Sequence, residues 1–311
     1  MKSIFISFLF IAAASAVSQS IAPIVGILTN PASNPESCGG PIPPGMTQCF
    51  SSSYVQWLEQ AALRVVPIPY TANHSTLDSL YASVNAILFT GGSLLLSPED
   101  PYYQTAQYLF DKAVSGNQEG DYMPLWGTCQ GFQLLSALAA NNVSIIHCTL
   151  QGREGVYIPL NMTPMASSSR MLGGAGPHIW EYLTRYPSTG NFHECGVFPS
   201  DYTYNPNLTK MFKVLSTNTD TEGTVFTSTM EGYTLPFYST QWHPEKTQFL
   251  MQDDICKEHE CISVSQFTAN YFAEQVSKST HTFPSETAAE QALIYNYAPS
   301  YQGDGYFVYY F

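Results

Sequence analysis

The sequence of 311 residues predicts an α/β protein with a single domain, in which helices cover both faces of a mainly parallel central sheet. Two observations predict this fold class. Strand-like runs alternate with helix-like segments through the first half of the chain, as in successive βαβ units. These runs are apolar at nearly every position, which is typical of strands that are buried on both faces.

The first three elements are a strand, a helix and a second strand. Residues 23–30, PIVGILTN, form an apolar run that ends in turn-forming residues. Residues 51–64, SSSYVQWLEQAALR, begin with serines, which favour helix N-termini, and continue with apolar residues at helical spacing. Residues 65–69 return to a strand-like pattern.

The same alternation continues to the middle of the chain. A helix is predicted at 76–84, and the run NAILFTGG at 85–92 predicts a strand that ends in paired glycines. A helix near 101–115 follows. The segments MPLWGTC at 123–129 and QGFQLLSALAA at 130–140 then repeat the order strand, turn and helix.

The second half has a different composition. The segments KVLSTNT, TVFTSTM and LPFYSTQWH are rich in Thr, Tyr and Val and are predicted to be antiparallel or edge strands. Residues 263–278 predict a final long helix, and residues 281–311 an aromatic-rich tail packed on the domain. No internal repeat or low-complexity segment is found, and we expect one domain at 21–280.

The N-terminal stretch at 1–16, MKSIFISFLFIAAASA, predicts a secretory signal peptide. Lys2 precedes an apolar run, and small residues follow in an A-x-A arrangement, so cleavage is expected after Ala16. The alternative is a buried first helix or a membrane anchor, but the run is short for a membrane span. No later stretch of the sequence is long enough to span a membrane.

Sequons and cysteines fit the same compartment. Four N-x-S/T sequons are candidates for glycosylation, at Asn73, Asn142, Asn161 and Asn207. Seven cysteines suit an oxidising environment, and the odd number predicts at least one unpaired thiol. Up to three disulfides, in a connectivity that the sequence leaves open, can form among Cys38, Cys49, Cys148, Cys195, Cys256 and Cys261.

The charge excludes one class of partner. The formal net charge is −13, with only 11 Lys and Arg residues and no basic run, so binding to nucleic acid is not expected. An acidic chain with sequons suits an extracellular or lysosomal setting. The oligomeric state is left open, with a homodimer as one expectation.

Cys129, in the segment WGTCQGF, is the candidate nucleophile. It falls at the carboxyl end of a predicted strand, where ligands bind in open α/β sheets, and directly before a helix. Gly127 and Gly131 relieve crowding at such a strained turn, and the helix N-terminus favours a thiolate. The alternative is a buried or disulfide-bonded cysteine.

His243 and Glu245, in STQWHPEK, are the candidate base and its orienting group. If this segment is a strand, residues two apart project to the same face, so both side chains can line one cleft. The alternative is a His-Pro-Glu turn at the surface. The pairing with Cys129 favours a catalytic triad.

Two backbone N–H groups are candidates for an oxyanion hole. Gln130 follows the nucleophile, and its N–H can point at a developing oxyanion. The second donor is expected from FTGGS at 89–93, with Gly92 first and Gly91 next; a plain glycine turn is the alternative. No metal site is expected, since the chain has no H-x-x-H or paired C-x-x-C. The remaining weaker histidines are expected to be solvated or hydrogen-bonded, at His74, His147, His178, His259 and His281.

These segments resemble the gamma-glutamyl hydrolases, secreted or lysosomal relatives of the class I glutamine amidotransferases, across nearly all of the predicted mature chain. The most specific segments are WGTCQGF and STMEGYTLPFYSTQWHPEK; others include PIVGILTNP, NAILFTGGS, GNFH and ALIYNYAPSY. The resemblance implies a flavodoxin-like sheet of the amidotransferase type. It also implies hydrolysis of the gamma-linked glutamates of folate polyglutamates, through a thioester and without a cofactor.

The resemblance also assigns roles by position. Cys129 is the nucleophile, His243 the acid and base, and Glu245 the third member. Tyr54 in SYVQW and His193 in NFH match positions in the substrate cleft, with a core tyrosine and a loop histidine as the alternatives. Many members carry a glutamate four residues after the nucleophile, where this chain has Gln133, which puts substrate affinity and the preferred cleavage position in question.

A polyanionic substrate requires positive charge, and the candidates are Arg64, Arg153, Arg170 and Lys246. We expect an acidic compartment to reduce repulsion by protonating carboxylates. Two rival functions remain. Gln133 favours a glutaminase of the amidotransferase type, whose release of ammonia from free glutamine would identify it. The other rival is a non-catalytic secreted glycoprotein with the same fold.

Overall fold

The central element of the structure is an eight-stranded sheet. In the computed structural model, residues 22–32, 38 and 40–311 are described, and the sheet has the strand order β4-β1-β5-β6-β12-β11-β10-β8. The strands, in chain order, are β1 (Ile24–Leu28), β2 (Asn30–Pro31), β3 (Gln48–Ser51), β4 (Arg64–Ile68), β5 (Ala86–Phe89), β6 (Leu125–Thr128), β7 (Val156–Ile158), β8 (Asn161–Met162), β9 (Thr189–Asn191), β10 (Phe212–Thr219), β11 (Val225–Gly232), β12 (Phe237–Thr240), β13 (Ser300–Gly303) and β14 (Tyr306–Tyr310).

Five neighbouring strands of this sheet are parallel, and three are antiparallel. Parallel pairing joins β4, β1, β5, β6 and β12, whereas β11, β10 and β8 follow as antiparallel strands. The predicted mainly parallel sheet is therefore confirmed. One strand departs from its prediction as an antiparallel or edge strand: β12 lies inside the sheet, parallel to β6 on one side and antiparallel to β11 on the other.

Helices cover both faces of the sheet, as predicted. The α-helices of the described residues are α1 (Ser52–Glu59), α2 (His74–Tyr81), α3 (Pro101–Glu119), α4 (Gln130–Ala140), α5 (Pro177–Arg185), α6 (Pro199–Tyr204), α7 (Pro206–Met211), α8 (Lys246–Phe249), α9 (His259–Val276) and α10 (Glu286–Ala292). One buried apolar cluster packs under α2, α3 and α4, and another under α1, α5 and α9.

Alternation along the strands divides the apolar side chains between these two clusters. In β5, Ile87 and Phe89 belong to the first cluster, whereas Ala86 and Leu88 belong to the second. Successive side chains of a strand point to opposite faces, so a strand that is covered on both sides must be apolar throughout.

Two helices begin or end a few residues from the positions predicted from hydrophobic periodicity, and local backbone and capping interactions explain the differences. The predicted helix at 51–64 ends at Glu59, because the chain turns through Ala62, which has a left-handed φ of 59°. The predicted helix at 76–84 begins at His74, because the Asn73 side chain caps it by accepting a hydrogen bond from the Thr76 N–H at 3.0 Å.

The chain end beyond residue 281 contributes α10 and a hairpin. β14 pairs with β3, so the hairpin extends a second sheet with the order β13-β14-β3-β2. The Phe311 ring lies 5.1 Å from the Phe50 ring, centroid to centroid. Aromatic packing thus attaches this segment to the domain.

Six of the seven cysteines form disulfides, and Cys129 is the free one. The pairs are Cys38–Cys49, Cys148–Cys195 and Cys256–Cys261. The predicted signal peptide at 1–16 lies outside the described residues. None of the helices in the described part of the chain combines the length and apolar character that crossing a membrane requires.

Two glycines allow β6 and α4 to meet in a tight turn. A Cβ atom on Gly131 would lie 2.1 Å from the Phe89 carbonyl oxygen, and one on Gly127 would lie 2.5 Å from the Gly131 carbonyl oxygen. Both obstacles are backbone atoms, which cannot rotate away as a side chain can.

We expect Gly131→Ala to lower the free energy of unfolding by about 3 kcal/mol, since relieving the clash requires the backbone to shift. Urea denaturation measures this change. Gly174→Ala is the matched control, because a Cβ atom there has no neighbour within 4 Å, and it should change stability by less than about 0.5 kcal/mol. Equal stability of the two variants would contradict the packing argument.

Candidate active site

Cys129 occupies the turn between β6 and α4 in a strained conformation. Its φ of 54° and ψ of −107° are rare for a residue with a side chain. Its N–H donates to the Thr240 carbonyl oxygen at 2.8 Å, which ties the turn to the end of β12. The thiol is free, so a disulfide-bonded cysteine is excluded; the residue is buried, at 4% exposed, as the other half of that alternative states.

The glycine loop after β5 lies against this turn. The Gln130 side chain holds it there, with Nε2 donating to the Leu94 carbonyl oxygen at 2.6 Å and Oε1 accepting from the Leu94 N–H at 3.1 Å. From the other side, Asn30 Nδ2 donates to the Gly91 carbonyl oxygen at 3.0 Å. The loop is therefore fixed by side chains from two elements.

The hydrogen bonds of this loop distinguish the two glycine candidates. The Gly91 N–H donates to the Tyr54 hydroxyl oxygen at 2.7 Å, so it is already engaged. For Gly92, no such partner is found among the residues that the structure describes. Gln130 begins α4, where a backbone N–H has no acceptor within the helix. The roles of Gly92 and Gln130 as oxyanion donors remain predictions, and this pattern favours Gly92 over Gly91.

His243 and Glu245 lie in a buried turn beyond the end of β12, not in a strand. β12 ends at Thr240, so the strand geometry invoked for their alignment is wrong. The chain instead turns at Pro244 and brings His243 Nδ1 to 2.6 Å from Glu245 Oε1. The alternative of a surface turn is also wrong, since His243 is 6% and Glu245 1% exposed.

The two side chains and the thiol form an electrostatically coupled group. Burial lowers the pKa of His243, but the charges of Glu245 and Cys129 outweigh it and raise this pKa to about 9. Burial raises the pKa of Glu245, and the His243 charge outweighs burial, so the net shift is downward. The imidazolium and the carboxylate thus stabilise each other.

Gly91 lies between the nucleophile and the base. A Cβ atom there would lie 2.9 Å from His243 Cε1 and 3.3 Å from the Cys129 Cβ, so both side chains meet at this glycine. Within the described structure, His243 Nε2 is buried and has no hydrogen-bond partner. With Nδ1 bonded to Glu245, Nε2 is the nitrogen that can exchange a proton with the thiol or a bound molecule.

The side chains surround a cleft with a volume of about 310 Å³. Burial, followed by the charges of Glu245 and Cys129, raises the pKa of Tyr54 well above its ordinary value, so this phenol stays protonated. The lining residues are Asn30, Ser51, Ser53, Tyr54, Gly91, Gly92, Ser93, Cys129, Glu154, Phe192, His243, Glu245, Lys246, Leu250 and Tyr306.

Two residues that were predicted to bind substrate do not line this cleft. His193 is buried, and its two ring nitrogens lie 3.0 Å from the Cys195 carbonyl oxygen and from Asn191 Oδ1, one of which accepts the single N–H of a neutral ring. Burial and the nearby His243 charge lower its pKa to about 3, so the ring is neutral. Gln133 is also buried, and its Nε2 donates to the Cys195 carbonyl oxygen at 2.9 Å. Both side chains fix the loop behind the cleft instead.

The four candidate cations separate into different places. Lys246 lines the cleft, with Nζ 4.4 Å from the centre of the Phe192 ring. Arg170 is engaged with backbone carbonyl oxygens at 232–235, and Arg64 donates to the Ala22 carbonyl oxygen at 2.8 Å. Arg153 borders a neighbouring cavity. The acidic chain therefore presents few cations to the cleft.

Several lining residues were not among those predicted from the sequence. Glu154 and Phe192 enter from loops on either side of the small β7–β9 sheet, and Tyr306 enters from β14. Glu154 and Tyr306 lie in none of the motifs quoted above, whereas Phe192 belongs to GNFH, in which His193 was the residue predicted to reach the cleft. No group of three His, Cys, Asp or Glu residues in the described ranges is arranged to hold a metal ion.

The chain is similar in sequence to one family of known proteins. A sequence model of the peptidase C26 family matches residues 23–245. The chain is 35% identical over 286 residues to the gamma-glutamyl hydrolase of Homo sapiens, covering 91% of this chain and 86% of that protein. It is 34% identical to gamma-glutamyl hydrolase B of Dictyostelium discoideum, covering 90% and 79%, and 26% identical to gamma-glutamyl hydrolase 1 of Arabidopsis thaliana, covering 90% and 79%.

We expect Glu245→Gln to slow alkylation of Cys129 by iodoacetamide about tenfold at pH 7. Losing the carboxylate lowers the pKa of His243, and a neutral imidazole favours the thiolate less than an imidazolium does. Mass spectrometry of the labelled Cys129 peptide over time measures the rate. Glu222→Gln, on an exposed loop, is the control and should leave it unchanged. An unchanged rate in Glu245→Gln would show that the imidazolium does not activate the thiol.

Proposed function

This chain belongs to the peptidase C26 family, and on that premise we propose that it is a cysteine-dependent hydrolase of gamma-glutamyl bonds. The observation that carries the proposal is the combination of a free, buried thiol in a strained turn with a His243–Glu245 pair at the same cleft. The similarity to gamma-glutamyl hydrolases over nine-tenths of the chain supports the choice of substrate bond.

The first half-reaction forms a thioester. The Cys129 thiolate attacks the carbonyl carbon of the gamma-amide, and the N–H groups of Gln130 and Gly92 donate to the oxyanion. His243 then gives a proton to the departing nitrogen, which leaves as an amine. Glu245 holds the imidazole through Nδ1 and stabilises its charged form.

The second half-reaction releases the glutamyl product. Water replaces the amine and gives a proton to His243 Nε2 as its oxygen attacks the thioester carbonyl carbon. The same two N–H groups hold the second oxyanion, and its collapse returns the thiolate. The residues in hand suffice for each proton transfer, so the scheme uses no cofactor.

Folate polyglutamates are the substrates we propose, because the family resemblance implies them and their carboxylates require a cation. Lys246 is placed to meet one carboxylate beside the reacting bond. Gln133, which favoured a glutaminase, faces the Cys195 carbonyl oxygen, away from the cleft, and so contributes no argument for that rival.

We also propose that the protein is a secreted or lysosomal glycoprotein. Support comes from the three disulfides, which persist in oxidising compartments, and from the exposure of all four sequon asparagines. The Asn73 oxygen caps α2, which leaves its nitrogen available to carry a glycan. The signal peptide and the homodimer stay predictions.

Incubation with pteroylpentaglutamate tests the function directly. We expect the wild-type protein to produce shorter chains and Cys129→Ala to be slower by at least about 10³-fold, because the nucleophile is lost. Chromatography of the products measures both. Ammonia release from free glutamine without cleavage of the pentaglutamate would instead establish the glutaminase.

Activity on this substrate should fall as the pH rises from mildly acidic to neutral. Burial and the charge of Glu194 raise the pKa of Glu154, whereas His243 and Lys246 lower it, and Asp254 raises it. The net shift is upward. Below the raised pKa the carboxyl is neutral, and above it a carboxylate in the cleft repels the polyanion.

This repulsion should raise KM as the pH increases. We therefore expect KM of the Glu154→Gln variant to change less with pH, with kcat little changed, in initial-rate measurements from pH 4.5 to 7.5. Glu222→Gln, with the same change of charge on an exposed loop, should keep the wild-type profile. A wild-type profile in Glu154→Gln would remove Glu154 as the cause.

A further inference from the structure

A second cavity, with a volume of about 230 Å³, adjoins the catalytic cleft. The two share one wall residue, Glu154. The remaining lining residues of this cavity are Cys148, Leu150, Gln151, Gly152, Arg153, Val156 and Glu194. The two cavities therefore adjoin at Glu154.

Strand pairing places this cavity next to the reacting groups. β7 and β9 are antiparallel, with Val156 opposite Asn191, and the pairing continues as the His193 N–H donates to the Arg153 carbonyl oxygen at 3.3 Å. The disulfide Cys148–Cys195 links the two loops behind it. The cavity thus belongs to the same fixed wall that supplies Phe192 to the cleft.

Arg153 is a buried cation without a salt bridge to any described residue, although the charge of Asp220 acts on it from a longer distance. Arg153 is 8% exposed, and no carboxylate of the described residues lies within salt-bridge distance of its guanidinium. Its Nε has no hydrogen-bond partner. The nearby Asp220 uses its carboxylate to accept from the N–H groups of Gln151, Glu222 and Thr224.

A buried guanidinium without a direct salt bridge is suited to bind a carboxylate through paired N–H donors. Nothing in the proposed reaction uses Arg153, since the triad and Lys246 act in the cleft itself. The unpaired donors face a cavity that opens beside that cleft. This points to an anionic ligand that reaches both places.

A gamma-linked glutamate chain carries one free α-carboxylate on each residue, so carboxylates repeat along it at regular intervals. We propose that the Arg153 cavity is a subsite for an α-carboxylate of the substrate. The reacting bond joins two glutamates, and this carboxylate belongs to the next glutamate along the chain. Lys246 and Arg153 then hold successive parts of one chain. This inference rests on the proposed function and selects oligo-gamma-glutamates of three or more residues as its substrates.

Two carboxyl groups also border the subsite and determine the conditions for its test. Glu154 and Glu194 are both exposed at the rim. Both repel an anion when ionised, and the pKa of Glu154 is raised, so binding should strengthen as the pH falls from neutral into mild acid. Measurements are therefore made at pH 5.

The test is calorimetric titration of gamma-linked triglutamate and diglutamate into the Cys129→Ala protein, which cannot consume them. We expect the triglutamate to bind about tenfold more tightly. Adding Arg153→Gln should weaken triglutamate binding about tenfold and diglutamate binding less than twofold. Adding Arg64→Gln, with the same change of charge far from the cleft, should change neither.

Equal weakening of both ligands by Arg153→Gln, or no weakening of either, would overturn the subsite, as would failure of the triglutamate to bind. Removing an unpaired buried charge should not lower the melting temperature. If Arg153→Gln does not fold, Arg153→Met, of similar length, replaces it with the same expectations. Hydrolysis by the wild-type protein is measured separately. Tighter binding of triglutamate that depends on Arg153, without hydrolysis, would reject the proposed function and keep the subsite.

Discussion

The close backbone approach between β5, β6 and α4 is the constraint on which the rest of the structure depends. With Gly131 against the Phe89 carbonyl oxygen, no room remains for a side chain at position 131. The chain must therefore reverse sharply at Cys129, which takes a left-handed φ and lies at the carboxyl end of the sheet. The surrounding paired strands β5, β6 and β12 hold Cys129 in this strained conformation.

The same approach aligns the groups that act on the sulfur. The Cys129 N–H bonds to the end of β12, and three residues later that chain supplies His243 to the cleft. A turn, not a strand, then returns Glu245 to the imidazole. Burial favours the neutral form of His243 and of Glu245. Their mutual attraction outweighs burial, so both side chains stay charged.

The proposed recognition of the substrate relies on two places, each with a single cation. The acidic chain commits most of its cations elsewhere, and Lys246 in the cleft is followed by Arg153 in the adjoining cavity. Both lie close to glutamates, and the raised pKa of Glu154 makes its charge the one that acid removes most readily. The proposed function therefore predicts tighter binding of the substrate as the pH falls.

The sequence by itself determined the fold class, the parallel strands and the triad candidates, because apolar runs, glycine spacing and the His-Pro-Glu segment are local patterns. Only the tertiary structure decided that β12 is interior, that His193 and Gln133 face away from the cleft, and that Glu154 lines it. Which side of a loop faces a cavity depends on pairing with a distant partner, here β7 with β9 across about thirty residues, and no local pattern carries that information.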